Sequence, residues 1–158
     1  MTAALDRIHG LGYELPAAPA PMASYVPTRL VPIGDGTALL YIAGQVSMKD
    51  GQLLTGRVPV DVSVEDATEA ARRCALNILA QIEAVAGLDN VVAIAQLIGW
   101  VLCTDDFGAQ PQVINGASDL LVEVLGEAGK HTRAAVGASS LPRGVTVEIA
   151  ATVVVRPR

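Results

Sequence analysis

The sequence contains few aromatic residues and few of the side chains that usually hold metal ions. Aromatic residues make up only 3% of its 158 positions, although 51% of all residues are hydrophobic. The interior must therefore be built from Ala, Val, Leu and Ile. Cys74 and Cys103 lie inside apolar segments, and both His residues are far from them in sequence, so no metal-binding spacing arises. We expect buried, reduced cysteines in a cytoplasmic protein without a metal or other cofactor.

Long apolar runs and basic stripes are also missing. No run approaches the ~20 residues that cross a bilayer, and Asp6, Arg7 and His9 interrupt any signal-peptide pattern. The net charge is −5 and the isoelectric point is near 4.9. The basic residues are scattered and form no stripe that could bind a phosphate backbone. We therefore expect neither a membrane nor a nucleic acid as a partner.

The mean hydropathy of +0.44 is high for a soluble monomer. It favours an oligomer that hides apolar surface, and the alternative is a core unusually rich in Ala and Val. The length favours a single domain over residues 1–158. Within it, residues 1–27 are expected to form a short helix followed by an extended, proline-rich lead, since prolines prevent a stable helix.

Hydrophobic periodicity predicts the remaining elements. The expected order is two strands, a helix, a strand, a helix and two strands, at residues 29–33, 38–43, 63–86, 91–102, 111–128, 133–138 and 145–155. The fold class is α+β, a mixed sheet with two helices packed on one face. The strand at 91–102 is expected to be central and covered on both faces. The side of the last strand that carries Glu148 is too apolar for water, which favours subunit packing.

Two charged residues lie in the apolar strands of the last quarter. Burying a lone charge is costly unless the charge is paired or used, so Arg133 and Glu148 require an explanation. If the two terminal strands are neighbours, the guanidinium and the carboxylate come within reach and can form two parallel hydrogen bonds. A pair that serves only subunit packing is the alternative.

Several short motifs resemble those of one known family. They are Arg133 followed by Leu141-Pro142 and Val147-Glu148-Ile149, with Tyr25-Val26 and Ala43-Gly44-Gln45-Val46 upstream. In these motifs, and in the order of elements along residues 17–155, the chain resembles the RidA family, also called YjgF/YER057c/UK114. The longer N-terminal segment and residues 110–121 resemble a less-characterised branch of that family.

The resemblance implies a fold similar to the Bacillus-type chorismate mutase, a homotrimer whose three clefts lie between subunits. It implies that Arg133 binds a substrate carboxylate, that Glu148 orients a water molecule and that Tyr25 closes the cleft. It also implies that the backbone of Gly44 faces the reacting group and that Asn115 lines the pocket.

The implied reaction is the hydrolysis of small 2-imino or enamine acids to 2-keto acids and ammonia, which requires no cofactor or metal. Ala43 and Ala135 occupy two further pocket positions, where the deaminases usually have Ser and Cys. These changes keep the carboxylate anchor but remove hydrogen-bonding side chains. An enzyme of the hydrolase class is therefore weighed against a non-catalytic trimer that binds small carboxylate metabolites. The acidic composition disfavours a third role, as an endoribonuclease or translation inhibitor.

Overall fold

The computed structural model describes residues 2–158, so only Met1 of the predicted domain lies outside the described residues. The helices are Ala3–Gly10 (α1), Val64–Val85 (α2) and Gln110–Leu125 (α3). The strands are Thr28–Gly34 (β1), Thr37–Val46 (β2), Met48–Lys49 (β3), Gln52–Leu53 (β4), Val91–Leu102 (β5), Thr132–Ala138 (β6) and Val147–Val155 (β7). Within residues 2–158, no helix is long and apolar enough to cross a membrane.

Five strands form one mixed sheet in the order β1-β2-β7-β5-β6, and β3 and β4 form a separate small hairpin. β5 and β6 run parallel, whereas the other neighbouring strands of the large sheet are antiparallel. This arrangement confirms the predicted α+β class with a mixed sheet and helices on one face.

The condition for direct contact between Arg133 and Glu148, that the last two strands are neighbours, is not met, because β5 lies between β6 and β7. The helix α3 connects β5 to β6, and such a crossover returns the chain parallel to the strand it left. β6 therefore becomes an edge strand beside β5. β7 then returns and fills the gap between β2 and β5.

The two long helices begin and end where local signals place them. The Ser63 side chain accepts a hydrogen bond from the Asp66 backbone N–H at 3.1 Å and caps α2, as the sequence pattern indicates. α3 ends at Leu125, three residues before the predicted end. Its next residue, Gly126, has a φ of +63° and begins a short 3-10 turn instead of continuing the helix.

The N-terminal segment packs along the helical layer. Residues Ala4 and Ile8 of α1 are buried, and the Arg7 guanidinium donates a hydrogen bond to the Val124 carbonyl on α3 at 2.8 Å. The proline-rich lead is attached to α2 by Gln81, whose amide donates to the Pro19 carbonyl at 2.7 Å. The lead therefore follows a defined path towards β1.

The helices cover one face of the sheet and leave the other face partly exposed. Alternate residues of β7 are buried beneath the helices, as predicted, while the intervening residues are only half-buried. On this second face, Val31, Tyr41 and Val136 are 39%, 47% and 42% exposed. We call it the open face. The expectation that β5 is covered on both sides is wrong for the single chain, because all long helices pack on the same face and Trp100 stays half-exposed.

Both cysteines lie in the buried core, as predicted. Burial raises the pKa of the Cys74 thiol well above its ordinary value, and the nearby Glu148 charge raises it further. The thiol is therefore held in its unreactive neutral form.

Substituting Gly116 by Ala tests the contact between α2 and α3. A Cβ at this position would overlap the Thr68 backbone carbonyl and lie 2.9 Å from Thr68 Cγ2. Although Ala normally stabilises a helix relative to Gly, Gly116→Ala is expected to destabilise the protein by about 2 kcal/mol because the helices must separate. The melting temperature should fall by roughly 4–8 °C.

Gly10→Ala is the matched control, because a Cβ at the last residue of α1 meets no atom within 4 Å. Its melting temperature should equal or exceed that of the wild type. Equal melting temperatures for Gly116→Ala and the wild type would show that the interhelical contact does not require glycine.

Candidate functional site

A cleft of 490 Å³ opens beside β2 and β7. Its wall contains four of the residues proposed from the sequence, namely Tyr25, Ala43, Gly44 and Glu148. The wall is completed by the lead, the end of β2 and the turn before β7, which contribute Met22, Ala23, Val46, Pro142 and Arg143. We call this the Glu148 cleft.

A bulge in β2 shapes the centre of this cleft. The pairing of β2 with β7 shifts between Ile42 and Gln45, which leaves Ala43 and Gly44 outside the regular ladder. A Cβ at Gly44 would overlap Glu148 Oε1 and lie 3.0 Å from Glu148 Cδ. The absence of a side chain at Gly44 therefore leaves the space that the Glu148 carboxylate occupies.

The Glu148 carboxylate is half-buried and lies on the open face, because its neighbours Val147 and Ile149 point beneath the helices. It forms no ion pair with any residue of the described chain. Burial raises its pKa above the ordinary value of a glutamate. A carboxylate of this kind is suited to accept a proton or to face a cationic ligand group.

The lead places Tyr25 at the mouth of the cleft. The Tyr25 side chain is 45% exposed, and its hydroxyl accepts a hydrogen bond from the Met22 backbone N–H at 3.2 Å. Since the lead is attached to α2 through Pro19, the ring is held beside the cleft rather than in the core. Tyr25 therefore lines the Glu148 cleft, and its closing role stays a prediction.

Arg143 is a cleft residue that the sequence did not single out, because its place in a turn offered a sufficient explanation. It lies in the short 3-10 turn Pro142–Gly144 with a φ of +55°. This conformation is unfavourable for a residue with a Cβ and is commoner at functional sites. The signal available in the sequence was an Arg directly before Gly144 and directly after the motif Leu141-Pro142.

Arg133 lies on the other side of the sheet. It pairs with the buried Leu97 of β5, so its side chain points to the helical face. Its Nη1 donates a hydrogen bond to Ser118 Oγ at 3.0 Å, and its Nη2 donates to the Pro111 carbonyl at 3.1 Å. Among residues 2–158 it has no acidic ion-pair partner.

Arg133 and Glu148 could pair directly only if their strands were neighbours, and this pairing is therefore absent in the chain. β5 separates their strands, and the two side chains lie on opposite faces of the sheet. Strand alternation correctly identified which residues share a face along each strand. It contained no information on the order of the strands.

The other predicted residues lie with Arg133. Asn115 is exposed on α3, and its spacing from Pro111 and Ser118 places all three on one side of that helix. Ala135 is half-buried two residues after Arg133 on the same side of β6. Arg133, Asn115, Ala135 and Ser118 form the Arg133 cluster.

His131 is half-buried and hydrogen-bonded to Ser118 of this cluster. Ser118 itself was missed, although its spacing from Asn115 was visible in the sequence. Within residues 2–158, no group of three or more His, Cys, Asp or Glu side chains could hold a metal ion. The site residues predicted from the sequence are thus divided between the Glu148 cleft and the Arg133 cluster.

Comparison with known proteins gives a consistent result. Residues 6–149 match the family model described as "YjgF/chorismate_mutase-like, putative endoribonuclease". The chain is 40% identical over 146 residues to Protein TCP17 of Trypanosoma cruzi, a match that covers 90% of this chain and 88% of that protein.

Solved structures extend the match to the whole fold. The protein Atu1372 of unknown function from Agrobacterium tumefaciens is 42% identical, with a TM-score of 0.84 over 97% of this chain and 93% of that one. E. coli TdcF with bound serine is 23% identical, with a TM-score of 0.58 over 87% of this chain and 92% of that one, and shares the fold. The chain therefore belongs to the YjgF/chorismate mutase-like family, the RidA family that its Arg133 and Glu148 motifs resemble.

Proposed function

We propose that this protein is a cytoplasmic homotrimer that hydrolyses small 2-imino acids to 2-keto acids and ammonia, in clefts between its subunits. The observation that carries the proposal is the Glu148 carboxylate, half-buried and without an ion-pair partner among residues 2–158, against the bare backbone of Gly44. Such a carboxylate can take a proton from a water molecule placed beside a small ligand.

The proposed reaction requires only positioning and proton transfer. Arg133 binds the substrate carboxylate through its guanidinium. Glu148 accepts a proton from water as the water oxygen bonds to the electrophilic C2 of the iminium group. The resulting carbinolamine transfers its hydroxyl proton to nitrogen, the C–N bond breaks, and the 2-keto acid and ammonia leave. Glu148 returns its proton to solvent.

Two subunits are required because the two charged groups lie on opposite faces of one sheet. The open face that carries Glu148 also exposes large apolar side chains, which a second copy of the chain would cover. If the covering copy presents its β6 edge, its Arg133 cluster reaches the Glu148 cleft. Clefts between subunits, as the family resemblance implies, then contain both halves.

A non-catalytic trimer that binds small carboxylates is the second candidate. It is favoured by Ala43 in the Glu148 cleft and Ala135 in the Arg133 cluster, which offer no hydrogen-bonding side chains. The bound serine in TdcF, a protein of the same fold, is consistent with either a substrate or a retained amino-acid-like ligand. Both candidate proteins would bind a small carboxylate, but only the deaminase would convert it to a product.

The description of the family also mentions endoribonuclease activity. That role requires affinity for a polyanion, whereas this chain has a net charge of −5 and scattered basic residues. We therefore place it third.

Arg133→Ala and Glu148→Gln test the reaction and its location together. 2-Iminobutanoate is generated in situ by an amino-acid oxidase, and its loss is followed with and without protein. The wild type should accelerate the loss, and each variant alone should reduce kcat/KM at least about 100-fold. An equal mixture of the two variants, unfolded and refolded together, should recover about a quarter of the activity, because each cleft draws its two halves independently.

Mixing Arg133→Ala with the double variant Arg133→Ala/Glu148→Gln is the control, since neither chain supplies Arg133. No acceleration by the wild type over buffer rejects the deaminase reaction. If both single variants are inactive and their mixture shows no gain, both residues act from one chain and the intersubunit site is rejected.

The raised pKa of Glu148 predicts a distinct pH dependence. Because water activation needs the carboxylate, kcat/KM should fall as the pH drops through that raised pKa, which lies above the ordinary value of about 4.3. Between the two values the folded protein binds more protons than the unfolded chain, so stability falls as the pH rises through this window. Glu148→Gln should therefore melt at a higher temperature than the wild type above the window, and at the same temperature below it.

If the proposed trimer buries the open face, a charge introduced on that face should dissociate it. Light scattering should give the wild type a mass three times the 16.3 kDa of the chain. Val136→Glu should reduce that mass to the monomer, because it places a charge on a surface buried between subunits. Val60→Glu, at a 67% exposed residue outside the sheet, is the control and should not change the mass. A wild type of 16.3 kDa would contradict the proposed assembly.

A further inference from the structure

Two residues without an assigned role, Ser118 and His131, are hydrogen-bonded in series behind Arg133. Arg133 Nη1 donates to Ser118 Oγ at 3.0 Å. Ser118 Oγ lies 2.9 Å from His131 Nε2, and His131 Nδ1 lies 2.6 Å from the Gly129 carbonyl oxygen. Three hydrogen bonds therefore lead from the guanidinium through two side chains to the backbone before β6. We call this series the Arg133 relay.

The chemistry of the groups determines the direction of each hydrogen bond. The Gly129 carbonyl can only accept, so His131 Nδ1 must carry a hydrogen. In the neutral ring Nε2 then accepts, and the Ser118 hydroxyl donates to it. The lone pairs of Ser118 Oγ are consequently left to accept from Arg133. The relay is consistent along its whole length.

The guanidinium is held at a second point by the same helix. Its Nη2 donates to the Pro111 carbonyl at 3.1 Å, while Nη1 donates to Ser118 Oγ about two turns further along α3. Two contacts on different nitrogens restrict rotation of the planar group. A guanidinium has five N–H donors in a rigid fork, so donors are left for a ligand.

The residues around Arg133 do not neutralise its positive charge, which is therefore available to bind a ligand. Ser118, His131 and Arg133 are each half-buried, and Arg133 has no ion-pair partner in the described chain. A carboxylate that binds here does not have to compete with an internal acidic group. It also meets a guanidinium whose orientation is already set, which reduces the entropy lost on binding.

We propose that Ser118 and His131 are positioning residues that hold Arg133 in the orientation that binds a small monocarboxylate. This proposal rests on the proposed function, since it assigns the carboxylate of the ligand to Arg133. The relay supplies preorganisation from the helical side of the site, where Ala135 offers no polar side chain.

Removal of the relay should weaken carboxylate binding and leave the chemical step nearly unchanged. For Ser118→Ala we expect the Kd for 2-oxobutanoate, measured by calorimetry, and the KM for 2-iminobutanoate to rise about tenfold. Because Arg133 holds the carboxylate equally in the ground state and the transition state, kcat should change less than about twofold. Ser118→Thr, which keeps the hydroxyl, should restore most of the affinity.

A double-mutant cycle tests whether the two residues act in series. His131→Ala should raise Kd, and Ser118→Ala/His131→Ala should bind no more weakly than Ser118→Ala, because the first substitution already breaks the relay. Ser140→Ala, at an exposed serine after β6, is the matched control and should bind as the wild type does. Nitrogen-detected NMR should show His131 of the wild type as the Nδ1–H tautomer.

Four results would overturn the proposal: unchanged Kd in folded Ser118→Ala, equal losses in the Thr and Ala variants, additive losses in the cycle, or an Nε2–H tautomer. If the wild type binds 2-oxobutanoate but does not hydrolyse the imine, the deaminase reaction is rejected. The Kd values of the Ser118 and His131 variants then still support or overturn the relay. Absence of binding by the wild type would reject both proposals.

Discussion

The long helices cover only one face of the sheet, and the rest of the structure depends on this constraint. α2 and α3 pack on the same side, so alternate residues of β7 are buried while the intervening residues, including Glu148, remain on the open face. That face is built from large aliphatic and aromatic side chains, which are stable in water only when covered. The same constraint that forms the core therefore creates the surface on which the proposed assembly and the proposed cleft depend.

Different local features keep the Glu148 carboxylate and the Arg133 guanidinium free of an internal ion pair. The β2 bulge and the missing side chain of Gly44 leave space for the Glu148 carboxylate, and burial there raises its pKa. Arg133 is instead held by Ser118 and the Pro111 carbonyl of α3, which satisfy part of its hydrogen-bonding capacity without neutralising its charge. Neither feature depends on a polar side chain at Ala43 or Ala135. Alanine at both positions is therefore compatible with the proposed small carboxylate ligand.

Much of the local structure could be predicted from the sequence. The periodicity of α2, its Ser63 cap and the alternation of β7 are confirmed, because each depends on residues only a few positions apart. The grouping of Tyr25, Gly44 and Glu148 in one cleft was implied by family motifs and agrees with the structure. Ser118 and Arg143 were not identified, because a serine in a helix and an arginine in a turn each have a sufficient local explanation.

By itself the sequence determined the helices, the faces of the strands, the family and the residues that carry charge in apolar surroundings. Only the tertiary structure decided that β5 separates β6 from β7. It also set the register that pairs Arg133 with Leu97 and Glu148 with Trp100, on opposite faces of the sheet. The physical reason is that alternation is a property of a single strand, whereas strand order depends on how α3 crosses over the sheet. That order and register leave the two charged groups on separate faces of the chain, and in the proposed function a second copy brings them together.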